Sequence, residues 1–403
     1  VLPQNRPQNM DALLQIVTHP AGKTPPVRDV PKTEPVRPET RNLQPLKPAP
    51  GRPLPKWLIP GIAAAVAVIA LIISIGSGGK KSAPAPSVKA PTVQTVATEP
   101  APTETVPTIP MEVHTMAAAD FVYEDDISAT PFWGQSQYLR KDVNTLTFQS
   151  SLQNAPSSAW DVSEAGDRSV LAWMNNGDLY VAADGAIALN PNASWLLQDF
   201  VNLKTIKFGN CFDTSSVTDM SAMFIHCTSL TSLDLSGFDT SSVTDMGAMF
   251  QNCASLTSLD VSSFDTSNVT YMFFMFDLCE SLTSLDLASF DTSNVTDMDA
   301  MFANCERLTD LDLSGFDTSN VTSMHYMFSN CEDLTSLDLS GFDTSNVADM
   351  SNMFRSCTSL TNLNLSGFDA SAVTKMDSMF YGCDNLPDII CSDSKILKEF
   401  RNR

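Results

Sequence analysis

The sequence predicts an α/β repeat solenoid: a stack of 26-residue strand-turn-helix units, accompanied by one transmembrane helix and disordered linkers. Three observations lead there. Cys227, Cys253, Cys279, Cys305, Cys331, Cys357 and Cys383 recur every 26 residues, and the same apolar slots recur between them. A single charge-free run separates two stretches of opposite charge, with nine Lys/Arg and four Asp/Glu in residues 1–56 against twelve and thirty-nine in residues 118–403. Of the 25 prolines in the 403-residue chain, fourteen lie in residues 1–60, seven in 80–117 and only four beyond, so the packed part is expected to begin near residue 118.

In chain order, residues 1–19 read as a cytoplasmic stub and 20–56 as a linker, rich in Pro and Arg and too poor in apolar residues to offset chain entropy. Residues 57–79 carry no charge between Lys56 and Lys80. As a helix they reach about 34 Å, enough for a bilayer core of about 30 Å. Ala, Val and Ile on every face, without a polar stripe, argue against a half-buried helix. The basic excess ahead of the span places the N-terminus in the cytoplasm and the remainder outside, a single-pass arrangement in a cell membrane. Residues 80–117 alternate Pro, Ala, Thr and Val, a semi-rigid extracellular stalk.

Residues 118–201 are expected to cap the stack, which occupies 202–391. Within a unit, Leu233 and Leu235 flank Asp234 with the period of a strand, and Met246, Met249, Phe250 and Cys253 follow the i, i+3, i+4, i+7 spacing of a short helix opened by Thr244 or Asp245. One unit cannot bury both faces, so units must share a core. Strands at Leu203–Phe208 and Leu386–Cys391 bring the expected row to eight. The stretch SKILKEF, within residues 392–403, reads as an amphipathic cap. The architecture is leucine-rich-repeat-like, with a parallel β-helix as the alternative.

Units such as LTSLDLSGFDTSSVTDMGAMFQNC resemble the 26-residue repeat of the BspA-like leucine-rich-repeat bacterial surface proteins, and residues 159–206 are similar to the capping region those proteins carry. The resemblance implies surface display and protein binding or adhesion, toward an extracellular or host protein or another surface protein. Residues 1–17 resemble the closing helix of bacterial serine/threonine protein kinases, with Arg6-Pro7 ahead of Met10, Leu13, Leu14 and Val17. That resemblance implies that Arg6 would pair with the glutamate ending an activation segment. It gives the alternative reading: the sensor portion of a receptor-like kinase whose catalytic domain is missing from this fragment.

The charge of the exterior part excludes nucleic acid, whose binders need a basic footprint. His19, His114, His226 and His325 fall in unrelated contexts, so no catalytic triad or metal set assembles; no enzyme and no cofactor is expected. Cysteines 26 apart lack zinc-finger spacing and read as buried free thiols. The sequons at Asn268, Asn294 and Asn320 are a by-product of the repeat. Asp234, Asp260, Asp286, Asp312 and Asp338, with Asn364, form an outward row that reads as a solvated face or as a weak calcium strip. A second row, Asp213, Asp239, Asp265, Asp291, Asp317, Asp343 and Asp369, reads as turn-closing. Tyr271, Phe273 and Phe274, and then His325 and Tyr326, break slots otherwise filled by Ser, Asp, Gly, Ala or Asn. As exposed aromatics they are the expected anchors for a protein partner.

Overall fold

A computed structural model describes residues 112–119 and 131–403. All of these belong to the second of two units, Pro102–Arg403. The kinase-like stub, the 20–56 linker, the apolar run 57–79 and most of the stalk lie outside the described residues. Among the described residues no helix is long and apolar enough to cross a membrane.

The folded part begins before residue 118. Strand β1 (Val113–Thr115) pairs in parallel with β6 (Ala186–Ala188), which pairs with β8 (Phe212–Asp213). Three residues at the end of a proline-rich stalk are too few to show a periodicity. A second sheet runs β3 (Trp160–Asp161), β4 (Val170–Asn175), β5 (Asp178–Ala183), β2 (Thr145–Gln149), β7 (Thr205–Lys207). The β4–β5 hairpin turns on Asn176 and Gly177, with φ of 51° and 89°, the Asn-Gly pairing that a two-residue loop with two positive φ values demands. Trp173 stacks on Tyr180 across the hairpin at 5.4 Å.

From β7 and β8 onward the chain coils with a 26-residue period, and each coil lies in parallel register on the next. Backbone bridges join Asn192, Asp219, Asp245, Tyr271, Asp297, Ser323, Asp349 and Lys375 in one line. The predicted inward slots are inside: Leu230, Val243, Met246, Met249, Phe250 and Cys253 have no exposed surface, and Leu233, Leu235 and Phe238 very little. Phe224, Phe250, Phe276, Phe302, Phe328, Phe354 and Phe380 form a continuous stack with ring centroids 5.7–5.8 Å apart.

Two expectations about the coil need correction. The Met246–Cys253 segment is not a helix. Its amides alternate between two partners: Met249 and Gln251 donate three residues back, to Met246 and Ala248, whereas Met246, Ala248, Phe250 and Asn252 donate to Tyr271, Phe273, Met275 and Asp277 in the next coil. Ala248 and Asn252 take φ of 56° and 57°, as do the matching residues of the other coils, and a left-handed residue every fourth position forbids helix propagation. Nor does the segment have an N-cap; the Asp245 carboxylate instead accepts from the Gly247 amide two residues on, at 2.9 Å. The eight-stranded row is also only partly laddered. Of the strands expected in this row after β7, β9 (Ser336–Asp338) and β10 (Asn362–Asn364) pair as a ladder, with Asn364 bridged to Ile390. Elsewhere contacts stretch to 3.3–3.5 Å, as from Thr309 to Thr283 and from Thr283 to Thr257.

The stack closes on α1 (Ser394–Arg401), the one α-helix among the described residues. Asp393 caps it by accepting from Lys395 and Ile396. Its Phe400 meets Phe380 edge-on at 5.3 Å, ending the ring stack. The same segment finishes the polar edge, with Asp393 accepting from the Ala370 amide and Lys395 donating to the Ala370 carbonyl.

Candidate binding surface

Each exterior column of the stack repeats one side chain at coil spacing, so its chemistry follows from what that side chain can reach. Asp234, Asp260, Asp286, Asp312 and Asp338 are exposed, as their slot predicts. Each accepts from the amide two residues on, at 2.9–3.1 Å, and Asn364 does the same. This row therefore closes turns, just as the second row does through Ser215, Ser241, Ser267, Ser293, Ser319, Ser345 and Ser371. The Ser236 hydroxyl and amide hold Asp234 below the usual carboxylate range, against a smaller opposing push from burial and from Asp260. Among the described residues no three His, Cys, Asp or Glu side chains come together to hold a metal ion.

The cysteines are free thiols, all but Cys391 buried. In the ladder each sulfur donates to a carbonyl of the preceding coil, as Cys305 does to Phe276 at 3.2 Å and Cys331 to Phe302 at 3.2 Å. Burial pushes Cys331 up to about 12, which keeps that thiol inert at neutral pH, whereas the hydrogen bond with Cys357 lowers Cys383 against the opposing effect of burial. The amides of Asn268, Asn294 and Asn320 donate to Ser241, Ser267 and Ser293 of the preceding coil at 2.7–2.8 Å and are committed to the stack.

The aromatic anchors are less exposed than the sequence suggests. Phe273 and Phe274 are buried, at 1% and 4% exposure, and Tyr271, His325 and Tyr326 are half-buried. Phe273 is buried because the preceding coil has glycine in its column: a Cβ built on Gly247 would collide with the ring. Phe274 packs edge-on against Phe273 at 6.2 Å. The His325 and Tyr326 rings meet edge-on at 4.1 Å. Around these rings lie acids that the sequence did not mark as part of a binding site. Asp245, Asp297 and Asp299 are 7%, 1% and 5% exposed. Burial pushes the Asp245 carboxyl up to about 7, with Asp219 and Asp297 adding to the effect and the Gly247 amide opposing it. Asp299 accepts from the Ser323 hydroxyl and from the His325 amide. Farther along, Lys375 pairs with Asp349 at 2.9 Å.

Two further polar features escaped the sequence. Thr214, Thr240, Thr266, Thr292, Thr318 and Thr344 are buried, and each donates to the carbonyl of the Asp 25 residues on. The amides of Asp239, Asp265, Asp291, Asp317 and Asp369 return a bond to the corresponding hydroxyl. The recurrence of Thr after Asp was the available signal, but it reads equally well as part of a turn. Asp277, fully buried, accepts from Gln251 at 2.7 Å and Asn304 at 2.8 Å, and Asn304 accepts from Asn330 at 2.7 Å. Burial raises its pKa to about 6 against those hydrogen bonds. These residues differ from coil to coil, so periodicity does not reveal them.

With this geometry in place, the chain is similar to a family described as "Mycoplasma protein of unknown function, DUF285", which matches residues 196–307 and again 279–391. The match covers the coils and does not reach residues 1–17. Among solved structures the chain is similar to a leucine-rich-repeat protein of T. pallidum, at 17% identity over 59% of this chain and 94% of that one, with a TM-score of 0.25. It is also similar to a leucine-rich cell surface protein of Faecalibacterium prausnitzii A2-165, at 14% identity over 64% and 89%, with a TM-score of 0.16. At such scores the fold rests on the pairing described above. Comparison with curated proteins gives no match.

Proposed function

We propose that the chain is a membrane-anchored surface protein whose coils form a leucine-rich-repeat-like solenoid, displaying a binding site for a protein partner around Tyr271, His325 and Tyr326. The observation that carries the reading is local. Half-buried rings interrupt columns that elsewhere hold small or acidic residues, whereas the surrounding Asp, Asn and Thr rows spend their side chains on neighbouring coils and turns. Half-buried aromatics set among polar residues have the character of binding hot spots. The charge-free run 57–79 and the Pro/Thr-rich stalk support display outside the cell, and the resemblance to BspA-like proteins supports adhesion.

Two measurements test this. Protease added to intact cells producing the full chain is expected to remove the coils; protection until the membrane is breached would overturn surface display. A photo-crosslinker at position 271 is expected to capture a protein partner that the same group at position 286, in the turn-closing row, does not. Equal capture from both positions would overturn the placement of the site.

A further inference from the structure

We propose that the strip around Tyr271 and Tyr326 recognises an arginine-bearing segment of the partner, with two arginines three residues apart. This deepens the binding reading above and rests on it.

Charge supplies the first argument. Residues 202–391 hold twenty-six Asp/Glu and five Lys/Arg. The three columns that carry the breaks, from Asp219 to Lys375, from Ser221 to Asp377 and from Ala222 to Ser378, include six aspartates and one lysine among twenty-one residues. Tyr271 is bridged directly between Asp245 and Asp297. The His325 amide donates to Asp299, and its neighbour Ser323 is bridged to Asp349. Tyr271 and His325 thus stand beside acidic residues in a strongly acidic stack, and Tyr326 packs edge-on against His325.

Ring chemistry supplies the second. A guanidinium is planar, stacks on aromatic faces and gives up its hydration more readily than an ammonium, so an aromatic surface in a negative field favours arginine over lysine. The exposed acidic rows have no such rings.

Spacing supplies the third. Tyr271 and the Ser323–Tyr326 group are two coils apart, about 9.6 Å at about 4.8 Å per coil, and an extended peptide covers about 10 Å in three residues at about 3.3 Å each. Arginines at i and i+3 of a segment lying along the stack match this axial rise, with Tyr326 set three residues along its coil from Ser323, the residue in line with Tyr271.

The test uses the full chain and three nine-residue Gly/Ser peptides, carrying Arg at positions 4 and 7, Lys at positions 4 and 7, or Arg at positions 4 and 5. The first is expected to bind at least about fivefold more tightly than either other peptide. Tyr271→Ser with Tyr326→Ala, residues found in the same columns at Ser323 and Ala300, is expected to erase that preference while the circular dichroism spectrum stays unchanged. Equal binding of the Arg and Lys peptides, absence of binding, or a preference that survives the double substitution overturns the inference. Should the preference be absent while position 271 still crosslinks a partner, the inference falls alone; equal crosslinking from 271 and 286 removes the site on which it stands.

Discussion

Asp234 and Asp245 lie in the same coil and are the same side chain, yet their surroundings drive their carboxyls in opposite directions. Asp234 is exposed, and the hydroxyl and amide of Ser236 lower its pKa; Asp245 is buried beside Asp219 and Asp297, and desolvation raises its pKa to about 7. The consequences for stability are opposite as well. A carboxyl lowered by folding contributes stability above its unfolded pKa and loses it as pH falls through the folded value; one raised by folding costs stability progressively as pH rises from the unfolded value to the folded one. A 26-residue repeat therefore builds two kinds of acid from one residue type, and only the outer kind is at home at neutral pH.

The interior against which both acids are set can be broken most directly at the ring stack. Phe302 stands between Phe276 and Phe328, with no exposed surface. Phe302→Ala is expected to cost about 3–5 kcal/mol in chemical denaturation, the range for a truncated buried phenyl whose neighbours collapse incompletely. A loss below about 1 kcal/mol would mean that the coils do not share one core.

Asp245→Asn sharpens the contrast itself. Asparagine keeps an acceptor for the Gly247 amide and removes the titration. The parent is expected to lose stability from about pH 4 to pH 7, because the folded state holds the proton over a window in which the unfolded state has released it. The variant lacks that decline, so melts at pH 4 and pH 8 should show it gaining on the parent by about 2–4 kcal/mol between the two, since a tenfold difference in proton affinity between the folded and unfolded states is worth about 1.4 kcal/mol. Parallel pH profiles would show that burial does not govern Asp245.

The contrast also marks what the sequence disclosed. The period, the inward slots and the outward Asp row were legible because Cys, Leu, Phe and Asp recur in register and because inside and outside differ in polarity. The helix was misread for a physical reason: tight turns with a left-handed residue every fourth position bury Met246, Met249, Phe250 and Cys253 just as a helix would. The distinguishing mark was the residue before four of the seven ladder cysteines. Asn252, Asn304, Asn330 and Gly382 are types that tolerate positive φ, and all four adopt it. The burial of Phe273 depends on Gly247 one coil earlier, so a slot-by-slot reading of exposure missed it, and comparing the two residues down their column would have revealed it.

Thr292 tests the buried polar edge between the two kinds of acid. Its hydroxyl both donates to the Asp317 carbonyl and accepts from the Asp317 amide, each at 2.9 Å. Thr292→Val keeps the shape and strands two backbone groups, so a loss of about 1–3 kcal/mol is expected in urea unfolding. At the end of the row Ala370 has no hydroxyl, and its own amide and carbonyl are met by Asp393 and Lys395. An unchanged midpoint would mean that water serves Asp317 equally well.

The smallest effect is expected on the exposed side. Asp312 is held below the usual carboxylate range by the Ser314 amide and hydroxyl, and Asn364 fills the same slot with the same turn bond and no charge. Asp312→Asn therefore preserves the turn and relieves repulsion along the row, and at pH 7 it should melt within about 2 °C of the parent. Added calcium should move neither melt, since each carboxylate of the row is engaged by its own turn and no three acids converge among the described residues. A calcium-dependent rise in the parent that Asp312→Asn abolishes would make the row a ligand strip and remove the distinction between an outer acid that closes turns and an inner acid that carries strain.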